Sequence, residues 1–191
     1  MKILAISSSP RRHGNTETLL DQALSGMKQK RLVIKKVVLN ELDIAPCNGC
    51  QACFKTGRCV IRDDMQSIYK DLLAADRVLV AAPVYFQGTP CQLKCVIDRC
   101  QALWSRKYIL KKKLVTGPRS GKRKGSAILV AASVGSKNTF IGSTIVLKAW
   151  LKTLECVYVN SLCVEGLETA DDAHEKRALL KKAKLFGESL I

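Results

Sequence analysis

The sequence predicts an α/β fold, a five-stranded parallel sheet with helices on both faces. Short runs of Val, Ile, Leu and Ala, apolar enough to be buried on both sides, recur along the chain. Between them lie segments whose apolar residues repeat at helical spacing. Strand and helix therefore alternate, which implies parallel pairing through right-handed crossovers. A length of 191 residues with 47% apolar content suits one domain, 1–191, with its own core.

Residues 2–7, KILAIS, form strand one. A Ser-, Pro- and Arg-rich turn follows, and then Leu19, Leu20, Ala23 and Leu24 mark a helix from Thr16 to about Lys30. Strand two is Val33 to Leu39, followed by a cysteine-rich loop. Asp63 and Asp64 are placed to cap a helix over Met65 to Ala74, because carboxylates accept the free N–H groups of a first turn. Strand three is Arg77 to Ala82. Pro90 opens a helix to about Trp104, since its missing N–H costs nothing at a first helical position. A Gly-, Pro-, Lys- and Arg-rich loop covers about Ser105 to Gly125. Strand four is Ser126 to Ala132, followed by a helix over Thr139 to Leu154, strand five over Cys156 to Val164, and a last helix over Ala170 to Ser189.

The charge is unevenly placed. Lys and Arg total 32 against 16 Asp and Glu, a formal +16. Residues 99–154 hold 13 of the basic groups and no acid, and the rest of the chain is nearly balanced at +3. A localised positive surface suits an acidic partner, because complementary fields speed encounter and weaken with salt. A solvated Lys-rich loop is the plainer reading. A basic nucleic-acid finger at GPRSGKRKG is a third, without a recognisable nucleic-acid motif to support it. No apolar stretch approaches the ~20 residues that cross a bilayer. Nine cysteines without a cleavable leader point to a reducing, cytoplasmic setting.

In sheets of this kind ligands sit beyond the carboxyl ends of the strands, where strand order reverses. Three loops lie at that edge. In the first, Ser7, Ser9, Thr16, the amide of Asn15 and free helix N–H groups surround a phosphate, with Arg11 as a charged fork; an ordinary capped turn is the alternative. In the second, Pro83 and Val84 end a strand, and Tyr85 and Phe86 are placed to pack on a flavin ring or else to fill the core. In the third, Ser133 and Gly135 follow strand four, and Gly135 permits close backbone approach.

Cys47, Cys50, Cys53 and Cys59 form the pattern CxxCxxCx5C. Thiolates so spaced suit the four iron corners of a 4Fe-4S cluster, and with no second run the set closes on one cluster. Structural zinc, which more often uses two separated CxxC pairs, and unligated thiols stay open as alternatives. Cys91, Cys95 and Cys100 on the helix after Pro90, with Cys91 and Cys95 sharing a face, read as small apolar side chains, an approach to the flavin edge or the cluster being the alternative. Cys156 and Cys163 read as strand core. No acid–base dyad is visible, so no side chain is assigned a catalytic role.

In order and spacing, SSSPRRHGNT, PCNGCQACFKTGRCVIRDDM and AADRVLVAAPVYFQGTPCQLKCVIDR resemble the flavodoxin-like NAD(P)H-dependent FMN reductases, and within them the iron-sulfur flavoproteins. The resemblance runs from Met1 to about Arg99, and more loosely through Ser133 to Gly166. Two departures stand out. Ser8 occupies a position where that family usually has Gly, and the loop near 114–124 is longer and more basic. The resemblance implies a flavodoxin-like fold, FMN with its phosphate in the first loop, and a 4Fe-4S cluster on the four cysteines. It implies electron transfer from a one-electron donor such as ferredoxin through the cluster to FMN, and on to an acceptor such as O2 or H2O2. It also implies a homotetramer. The alternative is a cluster-free NAD(P)H-dependent FMN or quinone reductase.

Overall fold

The computed structural model describes residues 1–27 and 31–191, so the predicted end of the first helix near Lys30 lies outside the described residues. Strands β1 (Lys2–Ser7), β2 (Val33–Val38), β3 (Arg77–Pro83), β4 (Lys124–Val130) and β5 (Val157–Val164) form one sheet in the order β2-β1-β3-β4-β5. Every pairing is parallel. β1, β3 and β4 are buried almost throughout, as expected for strands covered on both faces. The edge strands are not, and Val33, Ile34, Val157 and Val159 are exposed. This is the flavodoxin-like α/β arrangement.

The helices are α1 (Asn15–Gly26), α2 (Ala52–Thr56), α3 (Met65–Ala74), α4 (Cys91–Arg99), α5 (Gln101–Trp104), α6 (Ile141–Thr153), α7 (Asp172–Glu175) and α8 (Arg177–Glu188). Successive strand residues point to opposite faces. Ile3, Ala5, Leu79 and Ile128 accordingly pack with Leu19, Leu20 and Ala23 of α1 and Ala183 of α8. Leu4, Ile6, Val78 and Val80 pack on the other face with Ile68 and Leu72 of α3, Leu93 and Val96 of α4, and Leu147 and Leu151 of α6. α1 and α8 touch backbone to backbone: a Cβ at Gly187 would lie 1.9 Å from the Ala23 carbonyl oxygen, so only glycine fits there.

Several boundaries differ from the sequence reading, each for a tertiary reason. Pro90 caps α4 rather than opening it, the single helix predicted to Trp104 is α4 and α5, and a π-helical turn over Ser105–Ile109 continues it into the predicted loop. Arg99, Cys100, Ala102, Leu103 and Ser105 are all buried, more than one helical stripe can cover, so the helix breaks at Cys100 and widens after Trp104. The last predicted helix is interrupted at Lys176, whose Nζ donates to the Gly166 carbonyl at 2.9 Å. Asp64 sits at the N-cap of α3, but its carboxylate accepts the Asp43 N–H at 2.8 Å, and it is Asp63 that accepts the Met65 N–H at 3.1 Å. β4 begins at Lys124, inside the predicted basic loop, because that residue pairs in register with Arg77.

Candidate functional site

The order β2-β1-β3 puts the reversal between β1 and β3, so the loops after these strands lie side by side. The Ser8 N–H and Oγ both donate to the Ala81 carbonyl, at 3.0 and 2.9 Å. Ser8 therefore needs no glycine conformation, and its hydroxyl ties the first loop to β3. Ser7 Oγ is buried at the end of β1 with no partner among the described residues, and Ser9 Oγ accepts the Arg11 N–H at 3.1 Å. Gly14 is the N-cap of α1 and no side chain caps the helix, so its first-turn N–H groups remain available to an anion. Thr16 is buried in that turn, and the exposed Arg11 runs over Gly14.

Asn15 is used differently from the sequence reading. Its side-chain N–H groups donate to the carbonyls of Thr169 at 2.6 Å and Leu167 at 3.4 Å, and its oxygen accepts the Ala173 N–H at 2.8 Å. The carboxamide thus fastens the first loop to the segment before α8 and is not turned toward the first-turn N–H groups of α1. Glu17 was not singled out by the sequence. It is buried and held by Lys36 at 2.8 Å, Arg12 at 3.1 Å and the His13 N–H at 2.7 Å. Burial alone would raise its carboxyl, but these donors prevail and hold it at about 2.

In the second loop Val84 N–H donates to the Val130 carbonyl at 2.7 Å. Tyr85 and Gly88 then exchange N–H···O bonds of 3.1 and 2.9 Å across a two-residue turn. Its central residues, Phe86 and Gln87, have φ of 49° and 61°, a conformation that such turns normally reserve for Asn and Gly. The aromatics are not core residues, since Tyr85 and Phe86 are both exposed, the latter completely. Pro83 is buried beneath them. The turn is held from below by α6, where Ser143 N–H donates to the Gln87 carbonyl at 3.2 Å and Ser143 Oγ is buried without a partner. In the third loop Ser133 and Gly135 are exposed, and the Gly135 N–H donates to Glu165 Oε2 at 3.4 Å.

Cys47, Cys50, Cys53 and Cys59 line one cavity of about 830 Å³, walled on its other sides by α4, α5 and α6. The loop reaches this shape through left-handed residues: Gly49, Gln51 and Gly57 all have φ between 59° and 69°. A Cβ at Gly57 would also meet Arg106 at 3.1 Å. Cys50 N–H donates to Asn48 Oδ1 at 3.3 Å, and Cys53 Sγ lies 3.4 Å from Ser105 Oγ, which the π-helical turn buries against it. Cys59 lies beside Arg99 and Tyr69.

Arg99 is 1% exposed and binds both sides of the loop. It donates to the carbonyls of Ala45 at 2.7 Å and Ile61 at 3.4 Å, and to both Asp63 oxygens, at 2.5 and 3.0 Å. Burial would raise Asp63, but the guanidinium and the Ala45 and Met65 N–H groups hold it below the usual carboxylate range. Among the described residues no three His, Cys, Asp or Glu side chains close on a single metal ion. The four cysteines instead line one cavity together. Arg99, on the α4 side of the same cavity, has its Nε buried with no partner among the described residues. Thiols beside an unspent N–H donor fit a group whose sulfurs accept hydrogen bonds, as those of an iron-sulfur cluster do.

The other cysteines divide. Cys100 shares the cavity, but burial pushes its thiol up to about 12, so it stays protonated. Cys156 is buried as predicted. Cys91 and Cys163 are exposed and Cys95 only half-buried, because they fall on outward faces of α4 and β5 rather than in the core. The basic segment also divides. Arg99 and Arg123 are buried, and Arg123 donates to the carbonyls of Leu72, Ala75 and Leu154 at the ends of α3 and α6. Arg119, still partly exposed, donates to Leu73 and Ala74 carbonyls, so GPRSGKRKG ties two of its basic side chains to the end of α3. Lys111, Lys112, Lys113, Lys122 and Lys124 remain exposed. No helix among the described residues is long and apolar enough to cross a membrane.

Comparison with known proteins agrees with this geometry. An iron-sulfur flavoprotein of Methanosarcina thermophila is 40% identical over 126 residues, 63% of this chain and 66% of that protein. One from Archaeoglobus fulgidus is 34% identical over 151 residues, 78% of this chain and 64% of that protein. The chain thus spans just under two thirds of the length of these curated relatives. Among solved structures, NAD(P)H:quinone oxidoreductase from Methanothermobacter marburgensis superposes with a TM-score of 0.76 at 15% identity, covering 100% of this chain and 96% of that one. An FMN-dependent NADH-azoreductase from Bacillus anthracis in complex with FMN gives 0.71 at 15% identity, over 100% and 99%. At such identities the likeness is one of fold. The family model described as NADPH-dependent FMN reductase matches residues 1–166, and the chain belongs to that family of FMN-dependent oxidoreductases.

Proposed function

We propose that the chain is an iron-sulfur flavoprotein that holds FMN at the carboxyl edge of its sheet and a 4Fe-4S cluster on Cys47, Cys50, Cys53 and Cys59. The observation that carries this reading is the gathering of all four cysteines on one cavity that is also lined by Arg99, whose Nε–H has no partner among the described residues. The names of the relatives, iron-sulfur flavoproteins of archaea, support it. When bound, the two groups supply single-electron exchange and two-electron storage between a donor such as ferredoxin and an acceptor such as O2 or H2O2.

The residues divide the work of binding. Ser7, Ser9, Thr16 and the first-turn N–H groups of α1 receive the phosphate, with Arg11 above them as a charged fork. Pro83, Val84, Tyr85 and Phe86 receive the ring with backbone groups and aromatic faces, and Ser133 and Gly135 close the third side. The exposed lysines of 111–124 provide the surface for an acidic ferredoxin. In the same reading the protein is a single-domain cytoplasmic homotetramer, for which exposed Phe86, Val134, Ile141 and Ile145 supply apolar contact surface.

Anaerobic purification followed by counts of iron, acid-labile sulfide and FMN tests the reading. Iron and sulfide in equal amounts beside FMN support it. A protein that binds FMN but takes up no iron is instead a cluster-free NAD(P)H-dependent FMN or quinone reductase.

A further inference from the structure

We propose that Arg99 is a positioning residue for the cluster: its Nε–H donates to the Cys59 sulfur and shifts the cluster's reduction potential upward. The inference rests on the cluster reading above and extends it to a residue outside the cysteine motif.

The argument is a count of donors. Nη1 is bonded to the Ala45 carbonyl and Asp63 Oδ2, and Nη2 to the Ile61 carbonyl and Asp63 Oδ1. Nε alone has no partner among the described residues, in a side chain 0% exposed. A buried N–H left unmade is costly, so a fold that fixes every other donor of this guanidinium implies an acceptor for the last one. Arg99 and Cys59 line the same cavity and lie beside one another. A thiolate bound to iron is an acceptor, and a hydrogen bond to it stabilises the reduced, more negative cluster. The Asp63 carboxylate opposes this, because it places a negative charge on the far side of the same guanidinium. The two residues therefore act on the potential with opposite signs. Their common structural task, tying residues 45 and 61–63 to α4, would make both substitutions alike.

The test is a redox titration of anaerobically reconstituted protein, followed by electron paramagnetic resonance of the reduced cluster. Arg99→Lys keeps the charge but loses the Nε–H. It is expected to make reduction about tenfold less favourable, which for one electron is ~59 mV lower. Asp63→Asn is expected to shift the potential upward. Where Arg99→Lys does not fold, the neutral pair Arg99→Gln/Asp63→Asn, which strands no buried charge, is expected to shift downward. Wild-type protein labelled with 15N-arginine supplies a measurement that needs no variant: the reduced cluster should show a nitrogen coupling from the side chain. Loaded variants with the wild-type potential, shifts of the same sign for Arg99→Lys and Asp63→Asn, or no arginine coupling would overturn the inference. Wild-type protein that takes up no iron would overturn the cluster reading itself, which separates the two failures.

Discussion

Arg99 and Asp63 form a two-pronged buried pair, Nη1 to Oδ2 at 2.5 Å and Nη2 to Oδ1 at 3.0 Å, where the cysteine loop returns to α4. Removing one partner of such a pair strands the other charge inside the protein, which typically costs 3–5 kcal/mol. Asp63→Asn is therefore expected to lower the stability of the metal-free protein by ~3 kcal/mol in urea denaturation. An unchanged midpoint would mean that the pair is not what anchors the loop.

Glu17 gives a dependence on pH with a definite sign. Its folded-state carboxyl lies near 2, below its ordinary 4.5, so the unfolded chain binds the proton more readily. The stabilisation is complete above pH 4.5 and drains away as pH falls toward 2, by about 3 kcal/mol. Glu17→Gln should flatten that part of the pH profile while lowering stability at neutral pH. Chemical denaturation at a series of pH values checks it, and an equally steep acid loss in Glu17→Gln would assign the effect to other groups.

Arg11 and Asn15 lie in the same loop but are expected to fail differently. Arg11 is free to contact a phosphate, and losing one charge-assisted bond of about 1.5–3 kcal/mol weakens FMN binding at least tenfold in Arg11→Ala. Asn15→Ala breaks three internal bonds and should lower the melting temperature. Flavin fluorescence titration beside thermal denaturation separates them. If Arg11→Ala bound FMN as tightly as wild type, Arg11 would have no place in the phosphate site.

The exposed lysines at 111–113 and at 122 and 124 predict that reduction by ferredoxin slows steeply with added salt, because steering between opposite fields is screened within about 10 Å at 0.1 M. Stopped-flow rates across a salt series test this. A rate indifferent to salt would remove the docking surface.

The strands were legible because burial on both faces leaves a continuous apolar run. Lys2–Ser7 and the helix Met65–Ala74 fall where the sequence puts them. What a single sequence does not display is the use of polar side chains in tertiary contacts. Nothing local distinguishes Asn15, which turns toward the segment before α8, from an Asn facing a phosphate. Arg99 reads as one member of a basic run, yet it is buried with an acid 36 positions earlier in the chain. Glu17 follows the same rule, since its partner Lys36 comes from β2. The break at Cys100 and the π-helical turn at Ser105 depend on a second surface, the cysteine loop, whose position no periodicity encodes. The four cysteines themselves were legible from spacing alone. That they face one cavity with Arg99 and Trp150 was not.

The most direct test of the account is an absorption spectrum of anaerobically purified protein, taken with iron and acid-labile sulfide counts per FMN. It is expected to give a brown protein with about four iron and four sulfide per FMN, the content of one 4Fe-4S cluster. A protein that is yellow only, with FMN bound and neither iron nor sulfide present, would contradict it.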